Sequence, residues 1–549
     1  MKFFCKITRY YRTIKDLKLK QIIYFFIRKI LRKRINKSDK YQIREPKNEV
    51  KFKCSPLPSI LSFRKFRFLN IEKEINEKIN WNDPDDLLWT YNLNYFDDLN
   101  AKDFESKRAF HNEIILRWIH DNPVGIGIAW HPYPTSLRIV NWVKWSLRQT
   151  TNNKKIDRSI LFQSRWLIKN IEYHISANHL IANFKALIFS GFYFKGEEPE
   201  NWRQKIEKLF LKQLKIQILD DGGHFERSAM YHRIILVDLL DIINIYRIYN
   251  YQEPKEIYDS ASKMMSFMVN FNHEDNNVPF FNDSTFGVSV NYDQIIRYAN
   301  DLGIKYETTD GNILFSMSGF ARVRNSNINV LFDIGSIKPK SQPGHAHAST
   351  LSLECSFLDE RFLVNSGIST YENSELRLLQ RGTSLHNTIE INNTNSSEVW
   401  SSFRVGRKAN ASLDVYSPLK NRVKASHDGY NFFDSIQNVS RSLEISNNSI
   451  LIVDSISSSG SYSAKGHWYI SPKMYLYESC NKSMRYVFES ESRNTRKYIE
   501  VLIEGARSTE ILKTKYYSSF NKEEDNYCIV YDFNHKNNNS VITKLSLLV

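Results

Sequence analysis

Between residues 81 and 302 the apolar positions recur every three or four residues; beyond Asp310-Gly311 they alternate every second residue. A chain that changes period once must fold as two halves built by different rules. Helical spacing covers 107–120, 136–149, 157–175, 179–194, 202–219, 229–249 and 255–272, with short Gly/Asn/Asp/Pro turns between. Many antiparallel helix pairs in one unit predict a helical toroid or bundle. Alternation marks 322–332, 350–358, 361–364, 384–391, 449–455, 465–470 and 498–505, punctuated by Ser, Asn and Gly, and predicts an antiparallel β-sandwich. No low-complexity linker or fixed-period repeat intervenes, so the halves should pack directly and leave a cleft for a ligand. The expected division is a basic arm at 1–45, a helical domain at 46–305 and a β-domain at 306–549.

The net charge of +16 suggests a nucleic-acid binder until it is located. Residues 1–40 carry 14 Lys/Arg against Asp16 and Asp39, a balance of +12, so the remaining chain is near neutral. With no aromatic-basic interleaving on the body, no nucleic-acid partner is expected. Within the arm, Leu19, Ile22, Ile23, Phe26, Ile27 and Ile30 form an apolar helical stripe flanked by Lys18, Lys20, Arg28, Lys29, Arg32 and Lys33. Such a helix suits an anionic membrane surface; a docked or solvated helix and an unusual export signal are the other readings. The run 28–34 carries charge where a secretory signal would have small residues, so no clear signal peptide is visible and a cytoplasmic or inner-membrane-associated place is the alternative to export. No stretch reaches the roughly 18 apolar residues of a spanning helix. Five scattered cysteines without a CxxC pair argue against a disulfide framework or a cysteine zinc site.

Three polar clusters interrupt these patterns. Ser176-Ala177-Asn178-His179 begins a helix, where Asn178 could simply be a cap. Asp221-Gly222-Gly223-His224-Phe225-Glu226-Arg227-Ser228 turns tightly before Tyr231-His232-Arg233, and a Tyr in a first helical turn is commonly half-buried packing. Pro343-Gly344-His345-Ala346-His347 precedes a predicted strand, on which imidazoles two apart would share a face and converge on a metal or catalytic site.

Taken in order, Leu93-Asn94-Tyr95-Phe96-Asp97, Trp130-His131-Pro132-Tyr133-Pro134, the following 136–142 segment, Asn178-His179-Leu180, 221–231, 344–347 and His386-Asn387-Thr388 resemble the heparinase II/III-like polysaccharide lyases. The resemblance is strong over about 85–400 and weaker beyond. It implies an N-terminal (α/α) toroid followed by a C-terminal antiparallel β-sandwich, a place in the bacterial cell envelope, and an acidic polysaccharide substrate cleaved by β-elimination. In that chemistry a C5 proton leaves a uronate whose carboxylate must be neutralised, and O4 departs with a proton. The resemblance gives carboxylate neutralisation to Asn178 and His179, the acid role to Tyr231, and the base role to Tyr231 or His345 according to the face attacked. It sets Tyr95, His131, Glu226, His232 and Arg233 against the sugar or behind these groups, with Asn282-Asp283 a lesser candidate. A Tyr acting as base near neutrality needs a lowered pKa, which neighbouring cations such as Arg233 or a protonated His could supply.

The elimination requires no cofactor. Family members often hold a metal in the β-domain, and the matching positions are His347, Asn365 and His386; Asn365 stands where an Asp is usual, and neutral Asn is a poor zinc ligand. A structural zinc and a hydrogen-bonded imidazole pair are the two expectations. Ser349 and Ala182 likewise replace acidic residues of the pattern. Two other functions compete: a carbohydrate-binding or assembly protein on the same fold, and a glycoside hydrolase, which would need paired carboxylates that these clusters do not show.

Overall fold

The computed structural model describes residues 2–30, 35–62, 64–75, 78–150, 152–490, 496–534 and 539–548. Its helices are α1 (Lys2–Ile14), α2 (Leu19–Ile30), α3 (Leu87–Tyr95), α4 (Arg108–Asp121), α5 (Pro132–Leu147), α6 (Lys154–Leu167), α7 (Ala177–Tyr193), α8 (Glu197–Gln217), α9 (Ala229–Ile248), α10 (Lys255–Asn270), α11 (Tyr292–Asp301) and α12 (Glu375–Gln380). From α3 to α10 they form two layers: α3, α5, α7 and α9 pack side by side inside, while α4, α6, α8 and α10 lie outside. The inner helices α5, α7 and α9 are buried on nearly every face, which is why they read as almost continuously apolar. Their few charges are paired: Lys185 donates to Asp238 at 2.7 Å and to Asp241 at 2.5 Å, and Lys144 to Asp241 at 2.6 Å. Each predicted helix is present. That expected at 157–175 stops at Leu167, and the turns at 168–176 free the chain for the site. Periodicity marks no element at 46–80, where Ile60–Ser62, Lys65–Phe68 and Ile71–Glu74 make a small sheet.

The β-domain is antiparallel throughout its named sheets. Eight strands, running from Ala411–Ser417 at one edge to Met474–Cys480 at the other, form the outer sheet, with Ser540–Leu548 inserted between Ser449–Ser458 and Tyr498–Glu504. Against it pack a four-stranded sheet and a five-stranded sheet, sharing one core that includes Val330, Leu353, Trp468, Ile452 and Leu545. The expected single run at 322–332 is a hairpin of Phe320–Arg324 and Ile328–Asp333, buried on both faces. One face joins the sandwich core; the other, through Phe320 and Leu331, meets Phe267, Phe271 and Phe281 beside the helical domain. Arg227, just before α9, ties the halves together by donating to the carbonyls of Ser318 (2.6 Å), Gly319 (3.0 Å) and Ser336 (2.9 Å) and pairing with Asp333.

The arm forms two helices docked across this junction through polar and aromatic side chains. Arg9 pairs with Glu398 at 3.0 Å, Asp16 with Lys408 at 2.7 Å, and buried Gln21 faces the body. Of the predicted apolar stripe, Leu19 (72%), Ile23 and Phe26 (57%) are exposed, while Ile22 and Ile27 are half-buried. Of the basic run 28–34, residues 31–34 and the side chains of 28–30 lie outside the described residues.

Candidate active site

Three inner helices begin on one rim of the toroid, and the first turn of each carries a site residue. Tyr133 of α5 stacks on His179 of α7 with ring centroids 4.3 Å apart, and Tyr95 of α3 meets Tyr133 at 5.9 Å. His131, at the start of α5, shares a 2.7 Å hydrogen bond with the Tyr91 hydroxyl. Ser176 and Ala177 both take positive φ, 67° and 51°, to bring Asn178 and His179 into the first turn of α7. Two adjacent non-glycine residues in the left-handed region are costly and mark a geometry held by its surroundings. Ser228 caps α9 by accepting from the Tyr231 amide at 3.1 Å, which fixes Tyr231 at that helix's start. Converging helix N-termini present partial positive charge, a setting that favours an anionic group.

Across the junction runs an ionic cluster centred on Asp283, on the loop between α10 and α11, which is fully buried and meets residues from the β-domain. Arg377 of α12 clamps both its oxygens, at 2.6 and 2.7 Å. His345 Nδ1 reaches one oxygen and His347 Nε2 the other, each at 2.8 Å. The two imidazoles therefore converge by bracketing one carboxylate. They do not do so by sharing a strand face, because the strand begins only at Leu353. A carboxylate can only accept when ionised, so His345 Nδ1 donates to it, and in the neutral imidazole this leaves the lone pair on Nε2. That Nε2 lies 3.8 Å from Glu226. The His345 ring stacks on Tyr231 with centroids 4.0 Å apart, and the Tyr231 hydroxyl meets the Tyr371 hydroxyl at 3.2 Å. The junction of the two domains thus brings Asn178, His179, Glu226, Tyr231 and His345 into one neighbourhood, with Tyr95 and His131 along the toroid rim.

The pattern described as Heparinase II/III N-terminus matches residues 105–303, and that described as Heparinase II/III-like, C-terminal matches 308–546. The chain belongs to the heparinase II/III-like family. A heparin-sulfate lyase from Bacteroides stercoris is 27% identical over 247 residues, 41% of this chain and 37% of that one. A heparin-sulfate lyase from Pedobacter heparinus is 23% identical over 51% of this chain and 47% of its own length. The chain thus spans less than half the length of these curated relatives. In fold it is similar to a heparinase III crystal structure, with TM-score 0.67 and 17% identity over 86% of this chain and 80% of that one.

Burial raises the Tyr231 hydroxyl well above its ordinary pKa, and neighbouring Tyr371 and Tyr133 add to this. Arg233 does not oppose the shift: it turns away to Asn272 (3.0 Å) and the Asn276 carbonyl (2.9 Å). His232 likewise faces inward, with Nε2 2.9 Å from the Met264 carbonyl. Both sit on helix faces turned from Tyr231 and are held there by these hydrogen bonds. Burial raises the Glu226 carboxyl, partly offset by His345 and His179. Burial also opposes ionisation of Asp283, yet Arg377 and the two imidazoles outweigh it and hold the carboxyl well below the usual range.

Sequence reasoning missed Tyr371, Arg377 and Glu172. Ala182 leaves the first turns of α7 without a carboxylate, and Glu172 from the preceding loop supplies one, 3.2 Å from both His179 Nδ1 and Asn183 Nδ2. Burial works against its charge, but His179 and Asn183 hold its pKa below the ordinary value. An isolated acid at the edge of a turn carries no signal of this partnership.

The donor set at the family's metal position falls short of a structural zinc. His347 Nδ1 and His386 Nε2 approach to 3.1 Å, while His386 Nδ1 is committed to the Gly382 carbonyl at 2.7 Å. Asn365 offers a neutral amide whose oxygen already accepts from the Asn387 amide at 3.2 Å. Two imidazoles leave a tetrahedral zinc two ligands short, and no group of three or more His, Cys, Asp or Glu suited to a metal occurs among the described residues.

Proposed function

We propose that this protein is a polysaccharide lyase that cleaves a uronate-containing acidic glycan by β-elimination. One observation carries the reading: an imidazole held through Nδ1 by a buried carboxylate, with Nε2 turned away from it, stacks on a tyrosine whose hydroxyl pKa is raised. His345 Nε2 takes the C5 proton, the electron pair forms the C4–C5 double bond, and O4 leaves with the proton of Tyr231. A raised tyrosine pKa suits the acid and not the base, so the high pKa of Tyr231 supports this division of labour. Asn178, His179 and the start of α7 would neutralise the uronate carboxylate as charge builds on it. Tyr95, His131 and Glu226 would line the sugar path. Hydrolysis would instead need two working carboxylates; Asp283 is saturated by Arg377 and two imidazoles, and Glu226 is buried beside His345. Screening purified protein against a panel of uronate polymers tests this directly. New near-ultraviolet absorbance from the unsaturated product is expected. Water incorporation without that absorbance would show a hydrolase, and intact polymer with retained binding a carbohydrate-binding protein.

The elimination uses no cofactor; His347 donates through Nε2 to Asp283 and His386 through Nδ1 to the Gly382 carbonyl, so the neutral rings face each other through His347 Nδ1 and His386 Nε2 without a proton between them. Elemental analysis of zinc-supplemented, dialysed protein should show far less than one equivalent. One zinc per chain would mean that Asn365 does not prevent binding.

The arm supports a second partner, the anionic surface of a membrane, and with it a place at the bacterial cell envelope. Among the described residues no helix is long and apolar enough to cross a membrane. The exposed Tyr11, Ile14, Leu19, Ile23 and Phe26 nevertheless give α1 and α2 outward apolar side chains with Lys15, Lys18 and Lys20 nearby. At about 1 kcal/mol per basic residue near an anionic surface, a few engaged lysines give measurable, salt-sensitive attachment. The protein should co-sediment with anionic vesicles at low salt, less at high salt, and not with neutral ones. Equal binding to both, or none to either, sinks the idea.

A further inference from the structure

Both arm helices touch segments that run into the active site. From α1, Arg9 and Arg12 reach Glu398 at 3.0 and 3.5 Å; Thr13 accepts from the Trp400 indole at 3.1 Å, and Tyr10 packs edge-on against that ring at 5.1 Å. Glu398 immediately precedes, and Trp400 belongs to, the hairpin of Val399–Trp400 with Arg404–Val405. The tip of that hairpin is bolted to the ionic cluster. Ser402 accepts from Arg377, the residue that clamps Asp283, and Ser401 from Arg381, which also donates to the Ala346 carbonyl between the two histidines. Phe403 completes the path, packing on the His345 ring at 6.1 Å and on Tyr371 at 5.2 Å.

From α2, the buried Gln21 amide points between the domains. Its Nε2 lies 3.3 Å from the Ser341 carbonyl and 3.5 Å from that of His174. Ser341 is four residues before His345, and His174 is five residues before His179. The Gln21 oxygen accepts from the Lys18 amide at 2.9 Å, which fixes the amide's orientation. Tyr24 and Lys20 hold the same helix to Tyr173, with ring centroids 4.7 Å apart and the ammonium 3.8 Å from the ring. One side chain of the arm therefore bridges the toroid loop leading to the carboxylate-binding pair and the β-domain loop leading to the base.

We propose that the arm is a strap that sets the spacing of the two catalytic loops, with Gln21 as a positioning residue for His179 and His345. Polar and aromatic side chains do this work, so Leu19, Ile23 and Phe26 stay exposed while the strap is closed. The inference rests on the lyase reading for its catalytic consequence, but its structural content does not. Because a misplacement of about 1 Å between reacting groups can cost two orders of magnitude in rate, a loosened strap should act on kcat more than on KM.

The test uses the full chain and two variants, Gln21→Ala and the double change Arg9→Ala/Arg12→Ala. For Gln21→Ala, kcat should fall about tenfold or more with KM changed less than about threefold. Hydrogen exchange should speed up locally at 172–179 and 341–347, and for the double variant at 399–405. A merely structural role would lower the melting temperature and leave kcat of the folded protein at the parent value. Faster exchange confined to the arm, with the three segments unchanged, would overturn the proposal. Should Gln21→Ala fail to fold, the double variant at partly exposed sites decides by exchange at 399–405. If the parent turns over no uronate polymer but exchange responds as expected, the lyase reading fails and the strap stands.

Discussion

Tyr231→Phe should remove nearly all turnover while leaving glycan affinity and the fold close to those of the parent. The change deletes one hydroxyl from a ring that stays stacked on His345 and anchored at the capped start of α9. General acid catalysis contributes typically 10²–10⁴-fold, so a fall of about that size in kcat is expected, with KM little altered. The deleted hydroxyl meets only that of Tyr371, at 3.2 Å, among its described hydrogen-bond partners, and the Tyr371 ring is also held by aromatic packing. Steady-state rates of double-bond formation check this against the parent, and binding is followed separately. A variant retaining more than about a tenth of parental turnover would take the acid role from Tyr231.

Asp283→Ala should cost both stability and chemistry. The carboxylate is fully buried and is the only counter-charge that Arg377 clamps bidentately among its described partners. Removing one partner of a buried ion pair strands the other and costs about 3–5 kcal/mol. His345 and His347 lose their shared acceptor in the same step, and the base loses the group that fixes its tautomer. The denaturation midpoint should therefore drop clearly, and protein that remains folded should turn over far more slowly than the parent. A stability within about 1 kcal/mol of the parent would show that Arg377 finds another acceptor.

The change of hydrophobic period near residue 310 determined that a helical domain precedes a β-sandwich, because core-facing side chains must follow the geometry of the element that buries them. Local motifs also placed Asn178, His179, Tyr231 and His345 at chain turns where function is commonly carried. What each of these groups can do was decided by tertiary contacts that sequence distance conceals. Asp283 gains its standing from Arg377, 94 residues away; Glu172 reaches His179 across a turn; and Tyr371 arrives on a segment with no motif of its own. Sequence neighbours misled in the opposite sense. His232 and Arg233 adjoin Tyr231, but successive residues on a helix point about 100° apart, and these two face the packed side. The arm shows the same division. Its amphipathic spacing was legible, whereas the choice of which face to dock depended on where Glu398, Lys408, His174 and Ser341 stand in space. That arrangement exists only after both domains have folded and met.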